Sequence, residues 1–563
     1  MNIKKSFLCS LFILVFSINN VFSQTSLPDD IDFWSDYPSD VLAQALVDRM
    51  TDEELFSQVL MFGWAGAKPS SLLYSWIDRG LGSVKVFGWN TDDIYQVATS
   101  VSSLQKRANE NGRFKIPLFV ATDQEGGWIR HVKGDTAITP GNMAIGASGY
   151  PMDSWFSAFY ISREIKSMGI NMNFAPTIDL FSNHNSSIIG TRSFGDDPDK
   201  AGMLGIYYAE GSKAAGVIPT VKHFPGHGDT EVDSHGRLPV INIDKKTFLE
   251  REIVPYKYLI KSGVPALMSG HLSFPKIERS GAPASLSKYF ITDLLRGELG
   301  YEGIVITDDM MMAGATDYAG SLSNAVRLAL EAGNDIILSS TTSRLNENMW
   351  TNNLALMKSN SEFKQKVKDA AYRVLKTKLD YFKTDKAAPL YPTIDDVKKN
   401  VPDKEGEKFF LEQACRSITV EKQGIVPLSN EDAGKVLLAG SLQSFFAAGK
   451  ERYEGAQQYY FPYDAVNIGD TQSYANTLAS MARNYDTIIV CVSNDKHARI
   501  AQGLRNSNKK VIIVSTMSPV YSEKLTWADS ILLGYSWRCD YTMEAMIGFI
   551  HGEYKNTAVK PYK

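Results

Sequence analysis

The stretch 222–235, KHFPGHGDTEVDSH, packs four kinds of proton-carrying side chain into fourteen residues. Pro225 and Gly226 stop a helix from running through it and Gly228 weakens one further, so the stretch is a loop. Asp233 and His235 stand two residues apart, and in a loop both can project to one side. A carboxylate bonded to an imidazole fixes its tautomer and raises its basicity, which gives a proton donor and acceptor matched to neutral pH. The same pair would serve equally well as a hydrogen bond that pins the loop, and the stretch alone does not choose between the two. His223, His227 and His235 follow neither the helical HExxH nor a CxxC-type spacing, so no metal is expected.

Other candidates sit at the ends of apolar runs. Asp308, in Thr307-Asp308-Asp309, has the position of a nucleophile, a metal ligand or a helix cap. Asp308 is nearer the run's tip and the better nucleophile, whereas Asp309, followed by three methionines, suits a cap or a buried hydrogen-bonding role. Asp123 opens DQEGG, whose glycines allow close backbone approach to a ligand. Arg192 in GTRSFG, with Lys222 and His223, adds donors. Gathered at one mouth, these residues suit a hydroxyl-rich ligand, and they would equally suit a phosphorylated one.

The elements that must position them are legible as eight short apolar runs, at 59–64, 83–88, 117–123, 171–179, 217–224, 266–271, 303–308 and 335–340. Helical periodicity fills the intervals 92–110, 152–168, 200–215, 245–262, 288–299 and 321–332, and a further helix is expected at 41–55, before the first run. Eight strands alternating with helices over this length predict a (β/α)8 barrel of the TIM type. Asp123, Asp179, Lys222, His223, His271 and Asp308 all fall at or near the carboxyl ends of runs, the end of such a barrel that carries chemistry. An open doubly wound sheet is the competing architecture.

A composition rich in Lys, Asp, Pro and Tyr marks 384–400 as a linker, so the barrel is assigned to 24–383 and a second domain to 401–563. Strands at 435–440, 487–493, 510–516 and 530–535, with helices at 404–416, 471–483 and 496–506, predict a smaller α/β sandwich, a parallel sheet with helices on both faces. It carries no GxGxxG or GxxxxGKS, so no nucleotide cofactor is expected.

Residues 1–23 read as a secretory signal peptide: Lys4 and Lys5, an apolar run 7–16, and a cut before Gln24. The run is too short to span a bilayer, and Cys9 is misplaced for lipid attachment. The mature chain is therefore expected in the periplasm or outside the cell, with no membrane span. Its three remaining cysteines, Cys415, Cys491 and Cys539, are not a disulfide framework. A net charge of −4 gives no argument for a nucleic-acid partner.

KHFPGHGDTEVDSH, DQEGG, NFAPTIDL, GTRSFGDDP, LMSGHLSFP, PASLS, GIVITDDMMM and AGNDIIL together resemble the successive motifs of glycoside hydrolase family 3, and within it the β-N-acetylhexosaminidase branch. The resemblance implies retaining hydrolysis of terminal β-linked N-acetylglucosamine from peptidoglycan fragments or chitin-type oligosaccharides, without a cofactor. It puts the nucleophile on Asp308 and the acid/base on His235 assisted by Asp233. It gives substrate contacts to Asp123, Arg192, Lys222 and His223, with His271 a second-tier substrate-binding candidate that, like Asp179, would support the site if it does not touch sugar. Trp128 departs from the pattern, standing where many relatives carry a basic residue, and an aromatic face there favours stacking on a second sugar. A phosphorylase, a β-glucosidase or β-xylosidase of the same family, and a silent glycan-binding protein are the alternatives. The aromatic cluster Tyr453, Tyr459, Tyr460, Phe461 and Tyr463 of the second domain is read as packing rather than glycan contact.

Overall fold

Each of the eight apolar runs contributes one strand to a single parallel sheet in the computed structural model, which describes residues 27–186, 188–230, 236–464, 468–555 and 558–563. The strands are β1 Leu60–Phe62, β2 Ser83–Lys85, β3 Phe119–Thr122, β4 Met172–Asn173, β5 Ile218–Phe224, β6 Ala266–Ser269, β7 Ile304–Thr307 and β8 Ile337–Ser339. They pair in the order β8-β1-β2-β3-β4-β5-β6-β7. A parallel bridge between Ile306 and Ile336, with Thr307 N–H donating to Ile336 O at 2.9 Å, joins β7 to β8 and closes the barrel. Every strand residue is buried, as expected of parallel strands covered by helices outside and side chains inside, and this is why they read as unbroken apolar runs.

The helix expected across 41–55 is two helices, Ser39–Arg49 and Asp52–Gln58. Thr51 and Glu54 form a capping box, each side chain satisfying the other's backbone N–H, and this restarts the helix where periodicity alone reads through. The same device opens a helix, Ile394–Asn400, inside the stretch expected to be a linker: Thr393 and Asp396 cap it, and Val397 is buried.

The second sheet contains β9 Thr419–Lys422, β10 Val436–Gly440, β11 Gln457–Tyr460, β12 Thr487–Val492, β13 Lys510–Ser515 and β14 Ser530–Leu533. Its order is β9-β14-β13-β12-β10-β11, parallel except for β9. In β12, Ile488, Val490 and Val492 enter one apolar cluster while Ile489 and Cys491 enter the other, so strand alternation feeds a core on each face. The sequence reading missed β9 and β11, the two edge strands. β11 reads QQYY and is mostly exposed, so it has no apolar run to find.

The sandwich is fastened to the barrel. Met143, Ala144 and Phe181 of the barrel chain pack into one of its cores. Arg416 reaches Asp153 at 2.6 Å, Cys539 Sγ donates to Ile138 O at 3.1 Å, and the Ser536 hydroxyl bonds Pro140 O. Cys415, Cys491 and Cys539 are all free thiols. Among the described residues, no helix is long and apolar enough to cross a membrane.

Candidate active site

At the carboxyl ends of the barrel strands lies a cavity of about 450 Å³, lined by Asp123, Glu125, Arg192, Lys222, His223 and Asp308 among others. A larger one, about 810 Å³, sits at the opposite end beside Val217, Val264 and Gly303, on the barrel face that generally serves stability.

Lys222 and His223 reach the cavity together because β5 is irregular. Val221 pairs with Leu267, but the next pairing is Phe224 with Ser269, so β5 carries one residue more than β6 across this step. In a regular strand consecutive side chains point to opposite faces; a bulge re-aims them. The extra residue lets two neighbours face one site.

Asp123, just past β3, takes Lys85 Nζ at 2.6 Å and Lys222 Nζ at 2.5 Å. Lys222 also reaches Glu125 at 2.6 Å, and Arg192 grips Glu125 with both Nε (2.9 Å) and Nη2 (2.7 Å). Burial pushes both carboxyls up, but the surrounding cations outweigh it, holding Asp123 well below its ordinary value and Glu125 near 2. Burial likewise lowers His131, 3.5 Å from Asp123, to about 4. Two ionised carboxylates and three cations are thus fixed on one wall, the donor and acceptor density that a hydroxyl-rich ligand needs. The network is held from behind: Asn173 bonds Gln124 through both its backbone N–H and carbonyl, each at 2.9 Å, and Thr177 donates to Glu125 at 3.0 Å.

The DQEGG glycines make a turn. Gly126 and Gly127 have φ of 92° and 62° and turn the chain from Gln124–Gly126 into Ile129–Arg130. A Cβ on Gly127 would stand 3.3 Å from the Cα of Gly141. They serve the turn and its close packing on backbone, and the turn presents Trp128.

Asp308 follows β7 directly, its N–H tied to Ser269 O at 2.9 Å. Burial raises its carboxyl, yet His223, His271, the N–H of Asp309 and Lys222 prevail and keep it below the ordinary value, hence ionised at neutral pH. Asp309 spends its carboxylate on the N–H groups of Met311 (3.0 Å) and Ser340 (2.9 Å). Asp179 is fully enclosed and receives His223 Nδ1 at 2.7 Å and His227 N–H at 2.7 Å, so it anchors the start of the loop.

His271, the second-tier candidate, does not line the cavity. It is buried with Nδ1 on Ser285 Oγ (2.7 Å) and Nε2 on Asp309 O (3.1 Å), which leaves neither nitrogen for a ligand. Asp233 and His235 lie outside the described residues. Sequence reasoning missed Lys85 and Glu125. A lysine inside the apolar run SVKVFG was the signal for the first, and for the second a carboxylate two residues after Asp123, where a tight turn can bring both to one wall. Among the described residues no group of three or more His, Cys, Asp and Glu is placed to hold a metal ion.

The model of the glycosyl hydrolase family 3 N-terminal domain matches residues 52–377, more than half of the chain. "Beta-hexosaminidase A" of Pseudoalteromonas piscicida is 36% identical over 274 residues, which is 46% of this chain and 45% of that protein. The match therefore spans less than half of that relative's length. A "Beta-hexosaminidase" of Tolumonas auensis is 32% identical over 261 residues, 46% of this chain and 75% of its own. Among solved structures, a glycoside hydrolase family 3 β-N-acetylglucosaminidase from Paenibacillus sp. str. FPU-7 superposes with a TM-score of 0.81 at 26% identity. That similarity covers 91% of this chain and 99% of the other, so it includes both the barrel and the sandwich. The chain belongs to glycoside hydrolase family 3.

Proposed function

We propose that this protein is a retaining exo-β-N-acetylglucosaminidase that removes terminal β-linked N-acetylglucosamine from peptidoglycan fragments or chitin-type oligosaccharides. The observation that carries the reading is Asp308: an ionised carboxylate at a strand tip, lining one cavity together with a cluster of carboxylates and cations. The names of the relatives agree with it.

In this mechanism Asp308 attacks the anomeric carbon as the bond to the leaving-group oxygen breaks, forming a covalent glycosyl-aspartate. His235, oriented by Asp233, protonates the departing oxygen and then deprotonates the water that releases the sugar. Retaining glycosidases generally use two carboxylates; here an imidazole takes the second place. Asp123, Glu125, Lys222 and Arg192 hold the hydroxyl and N-acetyl groups. The same reading has the chain exported to the periplasm or beyond, with the mature protein starting at Gln24, which the N-terminal peptide mass would test.

The deciding assay compares an aryl N-acetyl-β-glucosaminide with the matching aryl β-glucoside. The former is expected to be turned over with kcat/KM at least about 100-fold higher, because a site whose buried polar groups bond the N-acetyl substituent leaves them unpaired when it is missing. Preference for the glucoside would replace the reading with a β-glucosidase.

A further inference from the structure

His131 lines the catalytic cavity, yet no step of the proposed mechanism uses it. Its Nδ1 is buried and has no hydrogen-bond partner among the described residues. Asp123 Oδ2 stands 3.5 Å away, too far for a hydrogen bond of ordinary length. Buried polar atoms are nearly always paired, so each exception needs a reason. Among the described residues, His131 is the only side chain lining this cavity that carries such an atom.

The ring is in place before any ligand arrives. The DQEGG turn brings the chain back so that His131 N–H donates to Asp123 O at 2.9 Å, and the Thr91 hydroxyl donates to His131 O at 2.6 Å. The Phe87 ring lies 5.8 Å from the imidazole at 33°, and is itself stacked on Trp89 at 4.4 Å and 4°. Burial lowers the imidazole to about 4 against the pull of Asp123, so the ring is neutral at neutral pH. A neutral imidazole carries one N–H and one lone pair.

Asp123 has room for what His131 lacks. Its Oδ1 takes Lys222 and its Oδ2 takes Lys85, which uses two of the roughly four lone-pair positions of a carboxylate. A hydroxyl both donates and accepts. Seated between the two residues, one hydroxyl donates to Asp123 and accepts from the imidazole, completing both. An ammonium group cannot accept and would meet Lys85 and Lys222. An ionised carboxylate or phosphate cannot donate and would meet the charge of Asp123. The pair is therefore matched to a neutral hydroxyl.

The barrel says which hydroxyl. Asp123 follows β3 and Asp308 follows β7. In the closed ring β4, β5 and β6 separate them on one side and β8, β1 and β2 on the other, so they stand on opposite sides of the barrel axis. A nucleophile at Asp308 must reach C1 of the sugar, and in a six-membered sugar ring the carbon opposite C1 is C4.

We propose that His131 contacts substrate: with Asp123 it holds the 4-hydroxyl of the terminal sugar, and it makes the enzyme select N-acetylglucosaminides over their 4-epimers, the N-acetylgalactosaminides. An equatorial 4-hydroxyl extends outward along the ring, whereas an axial one leaves its mean plane. One fixed carboxylate–imidazole pair cannot serve both. The proposal rests on the glycosidase reading and adds to it the configuration of the sugar.

The test measures kcat/KM on an aryl N-acetyl-β-glucosaminide and the matching N-acetyl-β-galactosaminide for the wild type, His131→Phe and His131→Ala. His131→Phe keeps a ring against Phe87 and deletes both nitrogens. The wild type is expected to favour the glucosaminide at least about tenfold, the scale of one hydrogen bond. Either variant should lose most of that preference, chiefly by slowing the glucosaminide. A folded variant with the wild-type ratio overturns the proposal, as does a wild type that treats the epimers alike, and His131→Ala decides if His131→Phe does not fold. A wild type that prefers the aryl β-glucoside would end the N-acetylglucosaminidase reading alone, and the same ratio taken on the β-glucoside and β-galactoside would then decide the role of His131. A wild type inert on all four overturns both.

Discussion

The imidazole of His223 and the carboxylate of Asp179 are locked together at 2.7 Å with no solvent access to the acid. The other oxygen of Asp179 receives the backbone N–H of His227, so one buried group fixes both a cavity side chain and the loop that leaves it. Removing one partner of a buried pair costs about 3–5 kcal/mol. Asp179→Ala is therefore expected to lower the denaturation midpoint and abolish most activity, while Asp179→Asn, which keeps the volume, loses less stability. A midpoint for Asp179→Ala equal to wild type would refute the anchoring role.

The proposed chemistry separates two variants by step. Asp308→Asn removes the nucleophile and is expected to cut kcat by at least about a thousandfold on every substrate. His235→Ala removes only acid assistance, which an activated aryl leaving group scarcely needs. Pre-steady-state release of a nitrophenol should stay fast in His235→Ala while cleavage of a natural disaccharide slows. Equal slowing of both would refute the acid role.

Lys85 had no role in the sequence reading, yet it shares Asp123 with Lys222. Lys85→Met keeps the stem and deletes the charge. Charge-assisted hydrogen bonds contribute about 1.5–3 kcal/mol, so kcat/KM on the aryl substrate is expected to fall tenfold or more. If kinetics are unmoved, Lys85 only balances charge.

Two buried carboxyls away from the cavity set a pH dependence. Burial raises Glu164 and Glu252 to about 7, against an ordinary value of 4.5. A carboxyl raised on folding contributes stability that is complete below its ordinary value and is lost as pH climbs through the folded one. Glu125, near 2, works oppositely: its contribution is complete above 4.5 and lost as pH falls toward 2. The double variant Glu164→Gln, Glu252→Gln should therefore lose less melting temperature than the wild type between about pH 5 and pH 8. Parallel curves for the two proteins would count against this.

The barrel strands were legible because they are covered on both faces, which writes burial into the sequence as unbroken apolar runs. β11 could not be read that way: it is an edge strand with one polar, exposed sequence, held by β10 alone. In the site, Asp308, Asp123 and Lys222 could be found because each stands at the tip of a run. His271 stands at a tip too, but position along a strand does not say which side of the wall a ring faces, and its ring faces Ser285. The aromatic cluster of the sandwich divides on the same ground: Tyr453 and Phe461 are buried in the core, while Tyr463 lines a cavity with Trp128 and Thr191 of the barrel. Packing and ligand contact use one alphabet, and only the fold separates them.

The extra residue in β5 makes Lys222 and His223 a unit. One binds the Asp123–Glu125 wall and the other faces Asp308 and Asp179, so a single backbone irregularity sets the spacing between the sugar-holding and bond-breaking halves of the site. A side-chain substitution changes what either half does and leaves that spacing alone. Losing or gaining one residue in β5 would turn one of the two away from the cavity. This strand is therefore expected to tolerate changes of residue far better than changes of length.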